Sequence, residues 1–115
     1  MNEFDVPIFQ KSYDLYKQMH TYQKVIPKHD RYTVYSKAEE SMLSVISSLY
    51  KASASDKEHK LILLEQTSIE LNLLRVFVRL LKDIQALDNK KYLTLQSEID
   101  EIGRMLGGWI RSVKR

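Results

Sequence analysis

From Tyr92 to Val113 the apolar residues follow one rule. Tyr92, Leu95, Ile99, Ile102, Leu106, Trp109 and Val113 succeed one another at alternating steps of three and four. Only an α-helix brings residues so spaced onto one face, and this a/d pattern is the seam along which helices pack. The same period recurs upstream. Leu64, Leu71, Leu74, Val78 and Leu81 form one such stripe. Tyr35, Ala38, Met42, Val45 or Ile46, and Leu49 form another. Near the start Phe9, Tyr13, Tyr16 and Met19 or His20 predict a third inner face, widened by Ile8, Leu15, Tyr22 and Ile26. No segment alternates with period two. With 3 Gly and 2 Pro among 115 residues, the chain also lacks the turn chemistry of an all-β fold.

Breaks near residues 27–29, 54–55 and 87–89 divide the pattern into four helices, at about 7–26, 30–53, 56–87 and 89–113. Pro7 suits a first helical turn, and Pro27 disfavours helical backbone in the residue before it. Asp30 is a good N-cap for the second helix, and Lys51-Ala-Ser-Ala-Ser55 ends it. Ser55-Asp-Lys-Glu58 has the form of a capping box for the third. Asp88 and Asn89 offer N-caps for the fourth. Short connections force neighbouring helices to run antiparallel. The expectation is an all-α, up-down-up-down four-helix bundle occupying residues 1–115 as one domain.

The third helix carries more apolar surface than one bundle core needs. Ile62, Ile69, Leu73, Val76 and Leu80 lie beside its main stripe. Either the core is generous or other copies of the chain cover this face, and oligomerisation is the natural cover in so small a bundle. Apolar residues make up 43% and charged residues 29%, the balance of a globular chain. There are no cysteines, which excludes disulfides and thiolate chemistry. No apolar run reaches the ~18–20 residues of a membrane span, and the acidic start Met-Asn-Glu-Phe-Asp does not read as a signal peptide. The expected location is cytoplasmic, without membrane contact.

Catalysis finds no support in the residues. His20, His29 and His59 sit in different segments, none with a ligand partner one turn away. No Glu-x-x-His pair of the di-iron bundle type occurs. Glu39-Glu40 and Asp100-Glu101 are adjacent on helices and diverge by about 100°, so they do not pair as acid and base. Neither catalytic residues nor a metal or cofactor is expected. The unusual stretch is Gly103-Arg-Met-Leu-Gly107-Gly108-Trp109-Ile-Arg-Ser, which holds every glycine of the chain. Gly103 and Gly107, one turn apart, open a helix face to close approach by a neighbouring helix or subunit, or by a nucleic-acid backbone beside Arg104 and Arg111. Gly107-Gly108 also has the form of a helix C-cap, although the seam continues past it.

The net charge is +3. Arg104, Arg111, Lys114 and Arg115 crowd the last thirteen residues without an acid among them. Arg75, Arg79 and Lys82 step along one face of the third helix, as a rim around a subunit contact or as a stripe for phosphates. Tyr13, Tyr16, Tyr35, Tyr92 and Trp109 fall on predicted inner stripes, while Tyr22, Tyr32 and Tyr50 lie near bundle ends. The acids Asp56, Glu58, Glu65 and Glu70 gather in the first half of the third helix, as helix-dipole complements or as a partner's contact.

Ala86-Leu-Asp-Asn-Lys-Lys-Tyr92 followed by Glu101-Ile-Gly-Arg-Met-Leu-Gly-Gly-Trp-Ile-Arg-Ser112 resembles the accessory variability determinant proteins of diversity-generating retroelements. Pro7-Ile-Phe-Gln-Lys-Ser-Tyr-Asp-Leu-Tyr16, Ile26-Pro-Lys28 and Asp30-Arg-Tyr-Thr33 fit the same family. The wider relatives are four-helix-bundle proteins encoded in ribosomal-RNA intervening sequences. The resemblance implies a homopentameric barrel of four-helix bundles. It also implies a basic surface that binds template RNA or DNA, and association with the element's reverse transcriptase during mutagenic copying. It implies no catalytic residues. The nucleic-acid candidates are Arg75, Arg79, Lys82, Arg104, Arg111, Lys114 and Arg115. Leu73, Val76, Leu80, Gly103 and Gly107 are the candidates for the contact between copies.

Overall fold

Two aspartates start the two long helices. The computed structural model describes residues 5–115, so Met1–Phe4 of the acidic start lie outside the described residues. Asp56 takes extended backbone and accepts the His59 amide at 3.0 Å, opening the helix Lys57–Asp83. Asp88 does the same with the Lys91 amide at 2.8 Å, opening Asn89–Lys114. Each carboxylate satisfies an N–H that the first helical turn leaves free. That bond to the His59 amide holds the Asp56 carboxyl below its ordinary range, and the Lys91 amide acts likewise on Asp88.

In chain order the helices are α1 (Asp5–Tyr22), the single turn α2 (Lys28–Arg31), α3 (Val34–Ser53), α4 (Lys57–Asp83) and α5 (Asn89–Lys114). No strand occurs among the described residues. α3 packs on α4, α4 on α5, and α1 on both α3 and α5, which closes a four-sided bundle. Cross-links show the alternating direction. Lys57 Nζ donates to the Arg115 carbonyl at one end of α4, while Lys82 sits over the Tyr92 ring at the other. At ~1.5 Å per residue the 27 residues of α4 account for most of the 44 Å long axis.

On α3, α4 and α5 the core follows the stripes read above, with Tyr92 and Val113 at the ends of the α5 stripe only partly buried. Tyr35, Ala38, Met42, Val45 and Leu49 of α3 are buried. So are Leu64, Leu71, Leu74, Val78 and Leu81 of α4, and Leu95, Ile99, Ile102, Leu106 and Trp109 of α5. The Tyr35 hydroxyl donates to the Met19 carbonyl across the α1–α3 interface, and burial pushes its pKa well above that of an exposed tyrosine.

Helix α1 is rotated from the expected face. Its buried ridge is Ile8, Ser12, Leu15 and Met19, whereas Tyr13 is 59% exposed and Phe9 and Tyr16 are only partly buried. A shift of one residue turns a helix by about 100°. The aliphatic side chains take the interior and the tyrosines take the rim, where a phenol keeps its hydroxyl in water.

Four expected boundaries also move. After Tyr22 the chain makes a 3-10 turn over Gln23–Val25, then Ile26 becomes extended ahead of Pro27. Asp30 does not cap α3. It lies inside α2, and the N-cap of α3 is Thr33, whose hydroxyl donates back to the His29 carbonyl. The Ser55–Glu58 capping box does not form, because Ser55 donates to the Lys51 carbonyl at 2.6 Å and Asp56 takes the cap. Helix α4 stops at Asp83 rather than near Leu87. Gln85 adopts φ 63°, its N–H reaches the Lys82 carbonyl, and Ala86 N–H reaches the Leu81 carbonyl. This is a Schellman closure with glutamine in the left-handed position that glycine usually fills. Ala86 and Leu87 are buried behind it.

Candidate functional site

Helix α4 carries a second seam that none of the described residues covers. Ile62, Ile69, Leu73, Val76 and Leu80 all stand exposed, Ile69 at 68% and Val76 at 59%. From Ile69 to Leu80 they step by four, three and four, the a/d rhythm of a helix–helix contact. The inner seam of α4 is buried, so this outer one is a separate face. Leu73, Val76 and Leu80 of the expected contact between copies therefore lie together on one unpartnered stripe.

Gly103 and Gly107 lie elsewhere. They floor a groove of about 370 Å³ between α4 and α5, with Ser68, Asn72, Arg75 and Arg104 on its walls. A Cβ on Gly103 would stand 2.7 Å from Arg75 Nη2 and 3.7 Å from Leu71 Cδ2. The glycine thus makes room for the Arg75 side chain as it crosses to its ion-pair partner Asp100. A Cβ on Gly107 would meet only the tip of Arg111, at 3.4 Å. Gly107-Gly108 is not a C-cap, since α5 runs on to Lys114. Gly103 serves the α4–α5 approach, while Gly107 leaves the groove open above α5.

The seven basic candidates divide into two sets. Arg75 is engaged by Asp100, and Arg79 pairs with Asp83 at 3.2 Å, which raises the guanidinium pKa further. Lys82 lies 4.7 Å from the centre of the Tyr92 ring. These three are tied to neighbours. Arg104, Arg111, Lys114 and Arg115 are exposed and make no side-chain ion pair among the described residues. Arg104 and Arg111 are seven residues apart and share the helix face beside the groove. Of the acids on α4, Asp56 is occupied as the N-cap, while Glu58 and Glu65 are exposed.

Sequence reasoning missed a further surface. Tyr13, Tyr16, Lys17 and His20 of α1 border a groove with Leu43 and Ile46 of α3. The sequence expectation places Tyr13, Tyr16 and, as an alternative to Met19, His20 on the inner face, which hides the groove they border with Lys17. No group of three or more His, Cys, Asp or Glu residues that could hold a metal occurs among the described residues.

These features define an antiparallel four-helix bundle with one uncovered helix seam and a basic, glycine-floored groove. No described helix is long and apolar enough to cross a membrane. The chain belongs to the bAvd-like family, which it matches over residues 7–113. Its fold is similar to that of a protein of unknown function from the S23 ribosomal protein family of Bacteroides thetaiotaomicron VPI-5482. The identity is 15%, over 94% of this chain and 98% of that one, with a TM-score of 0.86. At that identity the likeness concerns the fold alone. The chain matches no curated protein.

Proposed function

We propose that this protein is a non-catalytic, cytoplasmic accessory factor of a diversity-generating retroelement. It assembles as a homopentamer, binds the element's reverse transcriptase and nucleic acid, and supports mutagenic copying of template RNA and its transfer to a variable gene. The observation that carries this reading is the bAvd-like family match across nearly the whole chain. Two features of the bundle support it. The exposed α4 seam of Ile69, Leu73, Val76 and Leu80 is the face on which copies would meet. The free cations Arg104, Arg111, Lys114 and Arg115 are the side chains that would hold phosphates. Five copies at +3 each carry +15, enough to concentrate a polyanion on a ring.

Reverse transcriptases that hold RNA are themselves basic, so direct contact needs apolar or acidic surface. Glu58 and Glu65 supply it on α4, with Glu70 five residues further along. The test is co-purification with the reverse transcriptase encoded beside this gene, with and without nuclease. A complex that survives nuclease and is lost when Glu65 and Glu70 become lysine is the expected result. Absence of any complex, with or without RNA, would overturn the proposal.

The four-helix fold alone also fits a second reading, a structural or interaction bundle of the ribosomal-RNA intervening-sequence type with no retroelement role. Neighbouring genes separate the two. The first reading requires a reverse transcriptase and an adenine-varied repeat pair, and the second requires neither.

A further inference from the structure

The groove between α1 and α3 has a composition that the core does not explain. Tyr13, Tyr16, Lys17 and His20 form one stripe of α1, and Leu43 and Ile46 of α3 face it across a space of about 620 Å³. That volume is in the range of sites that take small ligands or parts of larger ones. Tyr13 and Leu43 are both exposed. Lys17 Nζ lies 5.4 Å from the centre of the Tyr13 ring. The His20 ring stacks on Tyr16 at 6.5 Å, with the planes 27° apart. Flat ring faces and a cation therefore stand together at the mouth of an apolar groove.

The lining of the groove itself carries a cation, Lys17, and no carboxylate. The acids nearest in sequence are engaged elsewhere: Asp14 accepts from Gln10 at 3.0 Å, and Glu40 pairs with Lys37 at 3.1 Å. Glu39 stands near His20 behind the groove, but it is buried and accepts from Gln23. The complementary ligand has exposed flat faces and negative charge close to them. Single-stranded nucleic acid meets both requirements, whereas a duplex hides its base faces in the stack.

We propose that this groove is a stacking site for unpaired bases, with Tyr13 and the Tyr16–His20 pair as platforms and Lys17 on an adjacent phosphate. The proposal rests on the nucleic-acid reading above. It adds a surface on the α1–α3 side of the bundle, away from the arginines of α5.

The experiment is fluorescence anisotropy with a labelled oligo(dT) strand, and with the same strand annealed to oligo(dA). Tyr13→Ala weakens binding of the single strand by roughly 5- to 150-fold, the worth of one stacked base, and leaves the duplex nearly unaffected. Tyr13→Phe keeps the ring and restores the affinity. Lys17→Gln reduces the salt slope for the single strand by about 0.7. Single-strand binding by Tyr13→Ala at the wild-type level overturns the stacking site. If Arg104→Glu with Arg111→Glu still abolishes binding in that case, the nucleic-acid reading survives without the groove. Wild-type protein that binds neither strand nor duplex overturns both. A changed assembly mass in Tyr13→Ala, with nucleic-acid affinity unaltered, would make the groove a protein contact and also overturn the stacking site.

Discussion

Two alanine substitutions one helical turn apart should behave differently. A glycine inside a helix costs about 1 kcal/mol relative to alanine. At Gly107 the new Cβ meets only the flexible end of Arg111 at 3.4 Å, so the full gain should appear. At Gly103 it arrives 2.7 Å from Arg75 Nη2, and the guanidinium must leave its place beside Asp100. A partly exposed pair of this kind is worth about 0–1 kcal/mol, which offsets most of the helical gain. For a domain of this size 1 kcal/mol corresponds to about 4 °C in the unfolding midpoint. Gly107→Ala should therefore raise the midpoint by about 4 °C, while Gly103→Ala stays within about 2 °C of the parent. In an Arg75→Met background Gly103→Ala should recover the missing gain, because the clash is gone. Scanning calorimetry at one fixed protein concentration measures all of these. A lowered midpoint for Gly107→Ala, together with a lower mass in light scattering, would refute the reasoning. It would mean that a second copy fills the space above that glycine.

Val76→Glu places a charge on the exposed α4 seam and should reduce the assembly to smaller species by light scattering, with the helical circular dichroism unchanged. Gln85→Gly relieves the left-handed residue at the end of α4 and should stabilise the fold by about 0.5–1 kcal/mol in urea titration. Burial raises the pKa of Glu39, with the Gln23 hydrogen bond and His20 pulling it back. A carboxyl raised in the folded state favours folding below its unfolded pKa, and that contribution is lost as pH rises through the folded value. Glu39→Gln should accordingly be more stable than the parent at pH 7, and the advantage should shrink as the pH falls into the carboxylate range. Arg104→Glu with Arg111→Glu should weaken nucleic-acid binding for all sequences alike and reduce the salt slope; an unchanged slope would make both arginines structural.

The helical period located the core of α3 and α5 because each has one dominant apolar stripe, and on α4 it separated the buried stripe from the second, exposed one. It misplaced α1 because that helix has two competing stripes, Ile8–Leu15–Met19 and Phe9–Tyr13–Tyr16. Burial prefers the aliphatic one, since a tyrosine hydroxyl inside the bundle needs a partner such as the carbonyl that Tyr35 finds. The end of α4 was hidden for a different reason. Its stop depends on a left-handed residue, and Gln85 carries none of the glycine signal by which such a stop is read. The caps show a third limit. Ser55 and Asp56 are both good N-caps, and only the geometry of the preceding turn decides that Ser55 bonds backward while Asp56 bonds forward. The groove between α4 and α5 was half legible. The spacing of Gly103 and Gly107 announced a close approach, but not that the approaching group is an arginine of the neighbouring helix.

Helix α4 links these observations to assembly. Its inner seam of Leu64, Leu71, Leu74, Val78 and Leu81 is the part of the bundle that α3 and α5 close around, so Leu74→Ala should cost about 2–5 kcal/mol. Its outer seam lies on the same backbone, with Leu73 next to Leu74 and Leu80 next to Leu81. The two faces therefore cannot shift independently. Side chains packed against the outer seam by another copy would hold α4 in the rotation that its inner seam requires, and a loosened core would misalign the outer steps of three and four. Folding and association are then coupled by mass action, and the unfolding midpoint should rise with protein concentration. Leu74→Ala should make that dependence steeper, because the weakened bundle leans more on its neighbours. Val76→Glu should abolish it. A midpoint independent of concentration across a hundredfold dilution, in a parent that remains assembled at the high end, would show that the two seams act separately.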